Sequence, residues 1–194
     1  MKEIRDELLA NDKLPLFGYR TDNKYFPVAG EGSHCAEIMF IGEAPGENEA
    51  KTGRPFCGAA GKILDESLKE IGIKREDVYI TNIVKDRPPG NRDPLPEEIA
   101  AYAGYLDRQI AIIQPKVIAT LGRFSMDYVM RRFGLENELR SISAIRGRVF
   151  EVAMPYGKAA VIPLYHPAAT IYDQTKRSVF KSDLKSLLQF VSGK

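Results

Sequence analysis

The stretch Ile38-Met39-Phe40-Ile41-Gly42-Glu43-Ala44-Pro45-Gly46-Glu47-Asn48-Glu49-Ala50-Lys51-Thr52-Gly53-Arg54-Pro55-Phe56-Cys57-Gly58-Ala59-Ala60-Gly61 decides how this chain is organised. It opens on an apolar run that reads as a buried strand and ends where a helical pattern begins near Ala59. Between them lie glycines, prolines, carboxylates, cations and one aromatic. A connection of that length with no secondary structure of its own is usually functional or disordered. In α/β sheets, ligands sit on loops leaving the C-terminal ends of strands. The rest of the chain is therefore read by what it brings to this loop.

Working outward, residues 1–11 place Ile4, Leu8 and Leu9 at helical spacing, and residues 12–34 lack apolar periodicity and are expected as an irregular arm. Strands are predicted over 36–42, 78–84, 116–122 and 160–165, with an edge strand over 147–153. Helices are predicted over 58–71, 96–113, 123–133 and 178–191. Pro96 suits a helix start, with Glu97 and Glu98 at the positive end of the helix dipole. Pro163 lacks an N–H, so the last core strand is expected at a sheet edge, or its end leaves the ladder. Strands alternating with helices imply an α/β fold, a three-layer αβα sandwich around a central, mainly parallel four-stranded sheet. No internal repeat or linker divides the chain, so residues 1–194 are expected as a single domain.

The chain has 194 residues, 44% of them hydrophobic and 28% charged, which suits one core and argues against disorder. No apolar run reaches the ~18 residues of a membrane span, and no signal-peptide core follows Met1. A soluble, cytoplasmic monomer with no membrane partner is expected. Cys35 and Cys57 form neither a CxxC nor a Cys/His cluster, so neither a disulfide framework nor a zinc site is suggested. The net charge of +2 hides an asymmetry, because residues 117–194 carry 12 Lys and Arg against 6 Asp and Glu. That excess suits either a polyanion-facing surface or the solvated faces of ordinary helices.

Three predicted strands end in a polar group: Glu43, Asn82 and His166. An amide such as Asn82 offers an acceptor and two donors side by side, suited to a base edge. Its bland alternative is an amide satisfied by neighbouring backbone. His166 before Pro167 is either a turn residue or a neutral donor to a developing anion. Phe56 is either core or a stacking platform. Residues 58–63, Gly-Ala-Ala-Gly-Lys-Ile, miss the first glycine and the Ser/Thr of a phosphate loop, which excludes that motif.

Taken together, Gly42-Glu43-Ala44-Pro45-Gly46, Thr52-Gly53-Arg54-Pro55-Phe56, Tyr79-Ile80-Thr81-Asn82-Ile83-Val84-Lys85, Arg87-Pro88-Pro89-Gly90-Asn91-Arg92-Asp93-Pro94 and Tyr165-His166-Pro167-Ala168 resemble the uracil-DNA glycosylase superfamily, family 4 in particular. The resemblance implies base flipping, which costs a few kcal/mol of unstacking, followed by hydrolysis of the N-glycosidic bond to leave an abasic site. It implies that Phe56 stacks on uracil beside Ala44, and that Asn82 pairs with the Watson–Crick edge. Glu49 would block a thymine methyl, His166 would donate to O2, and Glu43 would position or activate water. Pro167, Ala168, Ile171 and Tyr172 would enter the minor groove, with Arg87 and Arg92 on the DNA. The implied partner is uracil-containing DNA, single- or double-stranded, with replication or repair proteins as further partners and the nucleoid as the place of work.

Family 4 generally carries a [4Fe–4S] cluster on four cysteines, the usual ligands of such a cluster. Those positions fall here on Asn11, Leu14, Asp86 and Tyr102. No cluster and no other cofactor or metal is therefore expected. Ala50 and Tyr172 also depart from the family's usual acidic residue and Arg. Two other readings stay open: a non-catalytic damaged-DNA binder, and a glycosylase shifted to hypoxanthine or xanthine.

Overall fold

A computed structural model describes residues 1–191. Its sheet has six strands: β1 (Glu31–Gly32), β2 (Ile38–Gly42), β3 (Tyr79–Asn82), β4 (Val117–Leu121), β5 (Phe150–Met154) and β6 (Gly157–Leu164). They lie in the order β1-β3-β2-β4-β6-β5. The four strands β3-β2-β4-β6 run parallel, and the two outer strands pair antiparallel to them. Every residue of β2, β3 and β4 is buried. Strands covered on both faces read as continuous apolar runs rather than alternating ones, which is what made them visible.

The helices are α1 (Lys2–Ala10), α2 (Phe17–Asp22), α3 (Glu47–Thr52), α4 (Ala59–Glu70), α5 (Pro96–Ile113), α6 (Arg123–Arg132), α7 (Ile142–Ile145) and α8 (Gln174–Leu184). One face of the sheet is covered through Ile4 and Leu8 of α1, Tyr102, Leu106 and Ile110 of α5, and Met126 and Val129 of α6. The other is covered through Ile63, Leu64 and Leu68 of α4 and Phe180 and Leu184 of α8. The result is a three-layer α/β arrangement.

Four expectations change. The sheet has six strands, because the two-residue β1 is too short to leave a periodic signal. Its Glu31 and Gly32 pair with Ile80 and Tyr79. The arm over 12–34 contains α2, and the opening loop contains α3, whose C-terminal Gly53 turns left-handed at φ 71°. The closing helix begins at Gln174, capped by the Asp173 carboxylate, and tightens into a 3₁₀ turn over Lys185–Phe190. Of the two alternatives for the last core strand the second holds: β6 is internal, and its end leaves the β5 ladder. Its pairing with β5 ends at Val161, so Pro163 lies beyond that ladder, opposite Thr120 of β4, and its carbonyl accepts from Gly147.

The charge asymmetry resolves into ion pairs across the fold. Arg132 pairs with Asp107, Arg177 with Glu66, Lys181 with Glu70 and Arg123 with Asp93. Much of the C-terminal excess therefore answers acids of the earlier part of the chain. Among the described residues no helix is long and apolar enough to cross a membrane.

Candidate active site

The parallel strands deliver polar side chains to one end of the sheet. Glu43 follows β2, Asn82 ends β3 and His166 follows β6. Gly42 and Asn82 are register partners on adjacent strands. A Cβ on Gly42 would lie 2.3 Å from Asn82 Oδ1 and 2.8 Å from the Phe56 ring, so a glycine there lets both approach. Phe56 adopts φ 48°, a rare backbone conformation for a bulky residue. A Cβ on Gly61 would meet the Phe56 carbonyl at 1.7 Å, so the turn closes onto α4 because residue 61 has no side chain. The Phe56 and His166 rings face each other at 5.6 Å, tilted by 33°.

Glu43, Ala44, Glu49, Phe56, Asn82, His166 and Ala168 share one cavity of about 380 Å³. Phe56 answers to both of its readings, since it packs against the core beneath α4 and forms the cavity wall. Gly46, Ala60 and Asn91 also line the cavity, and sequence reasoning had assigned none of them a role. Asn91 carried a signal: it follows Gly90 in a turn where both adopt positive φ, 62° and 55°, and Asn is among the few residues that tolerate this. Its side-chain oxygen accepts from Arg87 Nε at 2.7 Å.

The electrostatics differ from group to group. Asn82 is 2% exposed, yet its side-chain amide has no hydrogen-bond partner among the described residues. A buried amide without a partner is costly, so one facing a cavity points to a ligand. The Glu43 carboxylate likewise has no hydrogen-bond partner among the described residues. Burial pushes its pKa up to about 7, nearby Asp93 adds to the rise, and Arg123 opposes it. Burial lowers His166 to about 4, against a small opposing pull from Glu49. His166 Nδ1 accepts from the Ala168 N–H at 3.1 Å. A neutral imidazole accepting at Nδ1 carries its proton on Nε2, which makes Nε2 the donor.

Glu49 has a structural task that the sequence did not disclose. Its Oε1 accepts from the Cys57 and Gly58 N–H groups at 3.0 and 3.1 Å, at the N-terminus of α4. The carboxylate thus fixes the loop that carries Phe56 and favours the helix dipole. The expected DNA contacts fall into two groups. Tyr172 is 99% exposed, whereas Ile171 packs partly against the core. Pro167 is buried in the turn and Ala168 is exposed. Arg87 is 9% exposed, bonds Tyr25 Oη and Asn91, and so braces the loop inside. Arg92 forms a two-toothed pair with Glu98 at the start of α5.

The four positions where the resembled family carries cluster cysteines do not fit a cluster. Both Asp86 oxygens accept from Arg20 Nη1, at 3.0 and 2.9 Å, and Tyr102 Oη donates to Oδ2 at 2.5 Å. Leu14 is buried in the core, and the Asn11 amide donates to Tyr105 Oη at 3.0 Å. These are mutually satisfied groups with no thiol among them. Among the described residues no group of three or more His, Cys, Asp or Glu is placed to hold a metal.

Comparison with known proteins places the chain in a family. Residues 29–189 match the family model described as "Uracil DNA glycosylase superfamily". The chain is 48% identical over 188 residues to a "Type-4 uracil-DNA glycosylase" of Sulfurisphaera tokodaii, covering 96% of this chain and 83% of that protein. It is 46% identical to the protein of the same name from Archaeoglobus fulgidus, covering 96% and 91%. To the one from Thermotoga maritima it is 42% identical, covering 87% and 85%.

Proposed function

The chain belongs to the uracil-DNA glycosylase superfamily, and from that premise we propose that it removes uracil from DNA at the Phe56–Asn82–His166 cavity without an iron–sulfur cluster. The observation that carries this reading is the Asn82 amide, buried, unpartnered and aimed into a cavity walled by an aromatic ring. A flipped uracil stacks on Phe56. It presents N3–H and O4 to the Asn82 amide, which has the matching acceptor and donor.

The C1′–N1 bond then breaks with its electron pair passing to the base, leaving a uracil anion and an oxocarbenium-like sugar. His166 Nε2–H donates to O2, where that charge collects. A prepositioned neutral donor is suited to this because it loses no charge of its own as the anion forms. Water adds to C1′ and gives its proton to Glu43, whose pKa of about 7 suits a base working near neutrality. Glu49 keeps Oε2 free of the loop bonds, on the side where a 5-methyl group would sit. Tyr172 is the exposed wedge at the DNA, and the protein works on DNA as its macromolecular partner, at the nucleoid.

Arg20, Asp86 and Tyr102 hold together by hydrogen bonding the region that a cluster would otherwise tie. Base release from oligonucleotides carrying uracil opposite guanine, opposite adenine and in single strands tests the activity, with hypoxanthine, xanthine and thymine beside them. Uracil alone is expected. Preferential release of a purine base would redirect the specificity. Metal analysis of the purified protein is expected to find no stoichiometric iron, and iron with acid-labile sulfide would contradict the cluster-free reading.

A further inference from the structure

Lys85 lies just past the end of β3 and is 0% exposed. Its Nζ reaches back to the Asn82 carbonyl oxygen at 2.6 Å, Thr81 Oγ1 at 2.7 Å and Gln109 Oε1 of α5 at 2.6 Å. All three are acceptors. The Thr81 hydroxyl proton goes to the Ala29 carbonyl at 2.8 Å, and Gln109 Nε2 donates to the same carbonyl at 2.6 Å, which fixes the direction of its amide. With the Thr81 proton on the Ala29 carbonyl, the three acceptors match the three N–H groups of an ammonium, the form in which the proposal below takes this nitrogen. Burial pulls the other way, toward the neutral amine, but with the Thr81 proton on Ala29 an amine would turn its lone pair on one of the three oxygens.

Among the described residues no carboxylate touches this ammonium. Asp86, next in the chain, has its oxygens on Arg20 and Tyr102. A buried cation with no anion in its shell is expensive, and an apolar side chain of similar shape would avoid that cost. Its position is informative. Side chains of successive strand residues point to opposite faces, so the Lys85–Thr81 contact lies behind the strand whose front carries the Asn82 amide.

Resting on the glycosylase reading above, we propose that Lys85 is a positioning residue for the reaction: it anchors the Asn82 peptide and sets a positive field behind the base, favouring the anion formed as the C1′–N1 pair moves onto uracil. The field acts in a region closed to water, where screening is weak. A purely structural lysine would contribute the anchor and not the field.

The test compares leaving groups. Single-turnover release of uracil and of 5-fluorouracil, the more acidic base, is measured for the wild-type chain and for Lys85→Met, with thermal unfolding in parallel. Loss of the field slows uracil release by roughly tenfold or more, less than the 10²–10³ typical of a direct oxyanion donor. Release of 5-fluorouracil suffers several-fold less, because its anion needs less help. Equal losses on the two bases, or none, would overturn the proposal. Should Lys85→Met not fold, Gln109→Glu carries the same comparison by placing a neutralising carboxylate on the ammonium, with the same two outcomes. A wild-type chain that releases neither base sinks the glycosylase reading and this one with it.

Discussion

Glu43 and His166 titrate on opposite sides of the working range, and this makes the pH profile a sharp probe of their roles. With Glu43 at about 7, half of the chains hold the ionised base at that pH. At pH 6 the ionised fraction is about one tenth and at pH 5 about one hundredth, so kcat/KM should fall about tenfold per unit below neutrality. His166, at about 4, stays neutral through that whole range and bends the profile only at its acid extreme. Glu43→Gln should lower the rate by about 10²–10⁴ and flatten the limb near 7. The assay is uracil release under kcat/KM conditions in buffers of constant ionic strength from pH 4.5 to 9. A wild-type profile with no inflection near 7, or a Glu43→Gln profile that keeps it, would refute the assignment.

The same shift has a stability signature. The folded chain holds the Glu43 proton more tightly than the unfolded chain, whose carboxyl titrates near 4.5. Between 4.5 and about 7 the folded state therefore binds more protons, and stability falls as pH rises through that window. Glu43→Gln is free of this loss, so its Tm should gain on the wild type as pH rises from 4.5 to above 7.

Two further outcomes follow from the packing. Gly42→Ala places a methyl 2.3 Å from Asn82 Oδ1 and 2.8 Å from Phe56, so uracil release should drop about 100-fold or more while circular dichroism stays native; a fully active folded variant would show that the amide and ring need not approach. Arg20→Met leaves Asp86 buried without its cation, with side chains 4% and 0% exposed, and should cost about 3–5 kcal/mol in urea unfolding. The double variant Arg20→Met, Asp86→Leu should recover most of that, and no recovery would count against a pairwise origin.

Much of the scaffold was legible because its signals are local. The β2 run is apolar at every position and the runs that hold β3 and β4 are mostly so, all three strands buried, and α5 announces itself by Pro96 and the Glu97-Glu98 pair, whose second carboxylate closes on Leu95 N–H and Arg92. What stayed hidden depends on tertiary partners. Strand β1 is two residues long and exists because β3 offers it an edge. Helix α3 is six residues long inside a loop rich in Gly and Pro. The internal place of β6 could not be read from Pro163, since whether a neighbour needs that N–H depends on where β5 stops.

The candidate site divides in the same way. Glu43, Asn82 and His166 stood out as polar residues at strand ends, and the sheet register gathers them. The clamp of Glu49 on Cys57 and Gly58 was not readable, because a carboxylate eight and nine residues from the N–H groups that donate to it looks like any other loop charge. Arg87 and Arg92 were expected on the DNA, yet Tyr25, Asn91 and Glu98 engage them. Lys85 was given no role from the sequence. Its burial comes from Gln109, 24 residues away on α5, and from the Ala29 carbonyl that turns Thr81 and Gln109 toward it.

The most direct measurement is alkali-induced strand breakage at uracil in U:G, U:A and single-stranded oligonucleotides, using protein dialysed against an iron chelator, beside His166→Ala. Breaks at the uracil are expected with the dialysed wild-type chain, and a rate lower by about 10²–10³ with the variant. An intact strand on all three substrates, or a variant as fast as the wild type, would contradict a cluster-free glycosylase that discharges its leaving base through His166.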